Sequence, residues 1–221
     1  MPEVTDIQED RRAWASLAQS IPIIQADDAW GAGYTGNGWA VAVLDNGVQT
    51  SHPFVRAAVV AEACYSTQNP AADEYSLCPG RVTTSTATGS ASYCYDASFG
   101  NWACDHGTHV AGIATGRGDN QTFAGVAKGG NLIPIQVFTW DAYYDDSFAY
   151  FSDINRGLQR VIDLHDAGVK IAAVNMSLGG GAYTSQSACD SANLSTKTLI
   201  DNLKSRGIAT VIAAGNESYT N

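Results

Sequence analysis

The sequence predicts an α/β fold with a largely parallel sheet covered by helices on both faces. Two observations predict it: short apolar runs ending at Gly or polar residues alternate with segments whose apolar residues recur at helical spacing. The apolar runs show no polar alternation, as strands buried on both faces require. A third observation sets a bound. Hydrophobic residues make up 45% of the 221, yet they are spread out, and no run approaches the roughly 20 apolar residues of a bilayer crossing. No membrane partner is expected.

Taken in order, Thr5-Asp6-Ile7-Gln8-Glu9-Asp10 and the polar stretch to Gln25 read as a strand end and linker, with the domain proper starting near Ala26-Asp27-Asp28-Ala29-Trp30. The N-terminus lacks the basic start and apolar stretch of a secretory signal, so any signal is expected to be removed or to lie upstream. Trp39 to Leu44 is the first strand, ended by the turn Asp45-Asn46-Gly47. From about Cys64 to Trp102 there is no period, and Ser, Thr, Gly and Ala dominate. This reads as a long surface insertion pinned by disulfides, because an unpinned loop of that length is unusual in a compact domain.

His106 then opens a helix of small residues, with Gly107 leaving room for a close neighbour or substrate and Gly112 for packing on the sheet. Leu132 to Phe138 is the second strand. Ile154, Leu158, Val161, Ile162 and Leu164 give one buried helical face, stopped at Gly168. Ile171 to Met176 is the third strand, Leu199, Ile200 and Leu203 mark a further helix before Gly207, and Ala209 to Ala214 is the fourth strand.

A net charge of −10 repels phosphate backbones and anionic lipid, so nucleic acid is not an expected partner. Cys64, Cys78, Cys94 and Cys104 crowd into the insertion without zinc-ligand spacing. Disulfides are the better reading, against five buried free thiols, and with them comes an oxidising, secreted or extracellular location. Four cysteines permit three pairings, and short-loop closure favours Cys64 with Cys78 and Cys94 with Cys104. Cys189 is left over, as a free thiol or with a partner beyond Asn221.

The chemistry gathers where strands end. Asp45 can accept an imidazole N–H and fix its tautomer, or merely shape its turn. His106 and His109 lie one helical turn apart, but no third ligand accompanies them and no metal site is expected. His109 reads as a packed histidine, and His52 and His165 as structural or exposed. After the fourth strand, Asn216 can aim its amide N–H at a developing oxyanion, or serve as an ordinary turn residue. The backbone after Ser177 can pair with an extended peptide.

Val43-Leu44-Asp45-Asn46-Gly47-Val48, His106-Gly107-Thr108-His109-Val110-Ala111-Gly112, Asn175-Met176-Ser177-Leu178-Gly179-Gly180 and Ala213-Ala214-Gly215-Asn216-Glu217 together resemble the subtilisin-like serine protease (subtilase) family. The resemblance implies a subtilisin-like three-layer α/β/α fold with a mostly parallel central sheet, incomplete at the C-terminus. It makes 26–221 the N-terminal two-thirds of a peptidase domain and 1–25 the end of a propeptide and linker. That propeptide would act as an intramolecular inhibitor, removed between about Arg12 and Ala26 on maturation of the zymogen.

The implied roles are Asp45 as orienter, His106 as general base and Asn216 as oxyanion donor. Ser177, Leu178 and Gly179 would form the substrate strand and one wall of the specificity pocket, with Glu217 at its rim. Substrates would be proteins or peptides. The chemistry would need no cofactor; structural Ca2+ is a family-level expectation, with oxygen ligands of the right type at Asp119-Asn120. The family's G-T-S-M-A nucleophile motif does not occur in these 221 residues. The expectation is therefore a serine endopeptidase whose nucleophile lies beyond Asn221, with residues 1–221 alone inactive and with core surface left uncovered. The alternative is a non-catalytic pseudoprotease that binds extended peptides. Adhesion through Arg117-Gly118-Asp119 is a minor reading, and Asn120-Gln121-Thr122 and Asn193-Leu194-Ser195 are glycosylation sequons.

Overall fold

A computed structural model describes residues 17–92, 95–96, 101–102, 104–118 and 123–216. In chain order its elements are α1 (Leu17–Ile23), α2 (Ala26–Gly31), β1 (Ala40–Asp45), β2 (Ala63–Tyr65), β3 (Glu74–Ser76), β4 (Thr84–Ser85), β5 (Tyr95–Asp96), β6 (Asn101–Trp102) and α3 (Asp105–Thr115). There follow β7 (Asn131–Gln136), β8 (Phe138–Asp141), β9 (Asp146–Ala149), α4 (Phe151–Asp166), β10 (Ile171–Met176), α5 (Gln186–Ala192), α6 (Leu194–Ser205) and β11 (Ala209–Ile212).

The main sheet has the order β11-β10-β1-β7-β2-β4. All its pairs are parallel except β2 with β4. Because successive side chains on a strand point to opposite faces, β1 feeds two cores. Ala40, Ala42 and Leu44 join Ile133, Ile135, Leu158, Val161 and Leu203 on the face covered by α4 and α6. Val43 joins Leu132, Val55, Ala58 and Ala111 on the face covered by α3. That is the three-layer arrangement expected, with each fully buried Leu or Ile contributing about 1.5–3 kcal/mol. The four strands and the helices at His106, Ile154 and Leu199 fall where they were expected, except that the strand expected over Leu132 to Phe138 ends at Gln136 and Phe138 starts β8.

Three expectations need correction. First, the stretch to Gln25 is not all linker: Leu17–Ile23 is helical, and Ile21 is buried. Polarity hid one apolar anchor. The expected strand end at Thr5 to Asp10 lies outside the described residues. Second, the insertion is only partly a surface feature. Cys64, Leu77, Cys78, Ser90 and Ala91 are all buried, because local side chains satisfy its backbone and so no hydrophobic period is needed. The Leu77 amide donates to Ser66 Oγ at 2.9 Å and the Ser76 amide to Gln68 Oε1 at 2.7 Å. Third, β11 is not a buried strand. Val211 and Ile212 are 54% and 49% exposed, on the strand at one end of the sheet's order.

Cys64 and Cys78 form a disulfide with Cα atoms 5.6 Å apart. Cys104 is also disulfide-bonded; Cys94, its expected partner, lies outside the described residues. Among the described residues Cys189 forms no disulfide. The Cys64–Cys78 bridge closes a loop of sequence separation 14, for which chain entropy predicts about 3 kcal/mol of stabilisation. Replacing both cysteines with serine is expected to lower the urea-unfolding free energy by about that amount. An unchanged midpoint would refute a stabilising role for the bridge.

At the start of α4 a buried carboxylate joins the insertion to the helix layer. Asp153 pairs with Arg156 and accepts from both the amide and the hydroxyl of Thr67, each at 2.9 Å.

Candidate active site

Asp45 is the last residue of β1 and is 1% exposed. Its Oδ1 lies 2.8 Å from His106 Nδ1 and also accepts the Asn46 amide at 2.8 Å. Burial pushes the Asp45 carboxyl up from the usual carboxylate range, opposed by the His106 hydrogen bond, the Asn46 amide and the imidazole's charge. Its Oδ2 is buried without a hydrogen-bond partner among the described residues. The imidazole is far more open, with a side chain 56% exposed. With Nδ1–H donated to the carboxylate, the Nε2 lone pair is the one left to take a proton.

Asp45 thus binds its proton more tightly folded than unfolded. Between the ordinary carboxylate value of 3.8 and the raised folded pKa, the native state holds more protons than the unfolded state. Its contribution to stability therefore falls as pH rises through that window. Asp45→Asn, which removes the buried charge but keeps an acceptor oxygen, is expected to unfold at higher denaturant than the wild type at pH 7. The difference should vanish below pH 3.8. A variant less stable at pH 7 would contradict this.

Two residues missed by the sequence reading stitch the β1 turn to α3. Asn46 Oδ1 accepts the Gly107 amide at 2.9 Å. Thr108 Oγ1 accepts the Gln49 amide at 2.8 Å and donates to the Cys104 carbonyl at 2.7 Å. The signal was present but indirect. The first N–H groups of a helix need acceptors, and Cys104 at the N-cap supplies no side-chain cap. The acceptor had to come from another segment.

The glycines of the helix motif have a more specific use than expected. A Cβ on Gly107 would lie 2.1 Å from the Gly47 carbonyl oxygen, so its room is filled by the β1 turn rather than by substrate. A Cβ on Gly112 would meet Phe54, 3.4 Å away, so this glycine fits an aromatic ring rather than the sheet. His109 is exposed on α3 and is not a packed histidine: its side of the helix turns away from the residues that Ala111 packs against. His52 is exposed and accepts the Phe54 amide through Nδ1 at 3.2 Å, and His165 contacts Asp166 at 3.3 Å.

Parallel pairing brings the other predicted residues to the same sheet edge. β10 lies beside β1, and β11 beside β10, so their carboxyl ends sit about 5 and 10 Å along from Asp45's strand. Ser177 follows β10, its Oγ accepting from Asn175 Nδ2 at 2.9 Å. Leu178 packs partly on the main core. Gly179 is exposed, and a Cβ there would meet the Ala213 carbonyl oxygen at 3.9 Å. Asn216 is exposed and follows Gly215, whose φ of +99° turns the chain out of the strand.

Glu217 and the Asp119-Asn120 pair lie outside the described residues. Among the described residues no group of three or more His, Cys, Asp or Glu could hold a metal ion, and no helix is long and apolar enough to cross a membrane. Arg117 is committed elsewhere: its guanidinium donates to the carbonyls of Gly130 at 2.8 Å and Ala57 at 2.5 Å. The adhesion reading loses its cation.

The chain is similar to known proteases over nearly its whole length. It is 29% identical over 259 residues to the extracellular basic protease of Dichelobacter nodosus, covering 98% of this chain and 37% of that protein. It is 29% identical over 220 residues to subtilisin E of Bacillus subtilis (strain 168), covering 98% and 45%. Sphericase superposes with a TM-score of 0.60 at 28% identity, covering 84% of this chain and 48% of that one. The chain therefore spans less than half the length of these relatives. The subtilase family model matches residues 36–221, a stretch that includes the buried Asp45, the His106 helix and the strand ends beside them, and the chain belongs to the subtilase family.

Proposed function

We propose that residues 26–221 form the N-terminal part of the catalytic domain of a serine endopeptidase acting on proteins or peptides. The observation that carries this reading is the 2.8 Å contact between His106 Nδ1 and the buried Asp45 carboxylate. That geometry leaves Nε2 available to deprotonate a serine hydroxyl and then to protonate the leaving amine. The nucleophile is supplied from beyond Asn221. Residues 1–25 are the end of an inhibitory propeptide with its linker, and the disulfides support a secreted location. The chemistry requires no cofactor; Ca2+ is proposed as a structural ion only.

In this mechanism the backbone at Ser177, Leu178 and Gly179 holds the substrate as an added strand, with Glu217 at the pocket rim. The amide of Asn216 meets the carbonyl oxygen as it becomes negative. Asn216→Leu is expected to reduce kcat by about 10^2- to 10^3-fold with a small change in KM. A loss confined to KM would remove Asn216 from that role.

The test of the whole reading is to express the open reading frame beyond Asn221 and assay peptide hydrolysis with and without a serine-reactive reagent. Reagent-sensitive turnover by the longer chain, and none by residues 1–221, is the expected result. A longer natural chain that lacks a serine motif and binds extended peptides without cleaving them would make this a pseudoprotease.

A further inference from the structure

Three carboxylates of the described chain are buried at Asp45, Glu62 and Asp153, with Glu62 only 6% exposed. Asp45 faces His106 and Asp153 faces Arg156. Glu62 instead accepts a backbone N–H, that of Ala91, at 3.2 Å. A buried carboxyl group is costly unless it is hydrogen-bonded. What this acceptor holds is therefore informative.

Ala91 is fully buried and belongs to the insertion, yet it touches the turn that carries Asp45. Its carbonyl accepts the Val48 amide at 2.8 Å. The same oxygen lies 2.8 Å from where a Cβ on Gly47 would sit, with Cys104 Cβ 3.3 Å from that point. Gly47 is thus gripped between the insertion and the residue that precedes α3. Its own carbonyl presses on Gly107, beside His106. A continuous path of contacts runs from Glu62 through Ala91 and Gly47 to the Asp45–His106 pair.

We propose that Glu62 is a positioning residue for that pair. Its carboxylate fixes the Ala91 peptide, and Ala91 in turn fixes the β1 turn, so that Asp45 meets the imidazole at hydrogen-bonding distance. The inference rests on the protease reading of Asp45 and His106. It gives the insertion a part in catalysis and not only in stability.

The test uses the chain extended beyond Asn221 and NMR, reading the low-field Nδ1 proton of His106 and amide exchange at Val48. Glu62→Gln keeps an acceptor oxygen and is expected to retain both signals. Glu62→Met, of similar length without an acceptor, is expected to shift or broaden the Nδ1 proton. It should also speed Val48 exchange at least about tenfold, while the Val174 amide in the sheet stays protected. An unchanged Nδ1 proton in folded Glu62→Met overturns the proposal. If that variant does not fold, the wild type decides: the Ala91 amide must exchange at least about tenfold more slowly than an open loop amide, and an unprotected Ala91 overturns the proposal. Because neither readout involves turnover, a failed hydrolysis assay would remove the protease reading while leaving the brace itself measurable.

Discussion

Replacing His106 with alanine, in the chain extended to its nucleophile, is expected to lower kcat by about 10^6-fold with little change in KM. The reason is that the ring's exposed edge makes no ground-state bond in the described structure, whereas in the reaction it must take and return a proton. Asp45→Asn is expected to cost less, about 10^4-fold, since the amide can still occupy the carboxylate's place but offers the imidazole the wrong hydrogen-bonding partner. If the pair acts as one device, His106→Ala combined with Asp45→Asn should be no slower than His106→Ala alone. Steady-state kinetics of the two single variants and the double variant decide this. Multiplying losses would mean that Asp45 does not act through His106. The expected gain in stability of Asp45→Asn at pH 7 sharpens the contrast, because the same buried charge would then weaken the fold and serve the chemistry.

How much of this was legible in the sequence depends on the range of the interaction. The strand at Ala40–Asp45 was readable because near-complete burial leaves an apolar run up to Asp45, and Ile171–Met176 because its residues are mostly apolar. Asp45 and His106 stood out at element ends near glycine, but their roles came only from the family resemblance of their motifs. Asn46 and Thr108 did not stand out, since each bonds a partner about 60 residues away, and nothing local distinguishes such a partner from a turn or a helix surface. The burial within the insertion was missed for a different, local reason. Ser66, Gln68 and Ser76 satisfy buried backbone without leaving any hydrophobic period. At the other end, β11 has the composition of a buried strand, and its exposure could not be read from that composition.

Gly107→Ala should test most directly whether the closeness of α3 to β1 is what makes the site. The new methyl carbon would lie 2.1 Å from the Gly47 carbonyl oxygen, 3.0 Å from Asp45 Cβ and 3.1 Å from Asp45 Oδ1. These are backbone and short buried groups with no flexible end to swing aside, so the helix must retreat by about 1 Å to regain ordinary contact. Every bond across the cleft would stretch with it: His106 to Asp45 at 2.8 Å, Gly107 to Asn46 at 2.9 Å and Gln49 to Thr108 at 2.8 Å. Overpacking of this kind is expected to cost about 3 kcal/mol of stability. The misplaced imidazole is expected to lower kcat at least about 10^2-fold in the extended chain. Gly31→Ala supplies the control, because a Cβ there meets nothing within 4 Å. It should change neither urea unfolding nor the low-field proton of His106. A Gly107→Ala protein that kept that proton at its wild-type position would show that the helix can move without carrying the histidine, and the tight glycine contact would then have no part in aligning the pair.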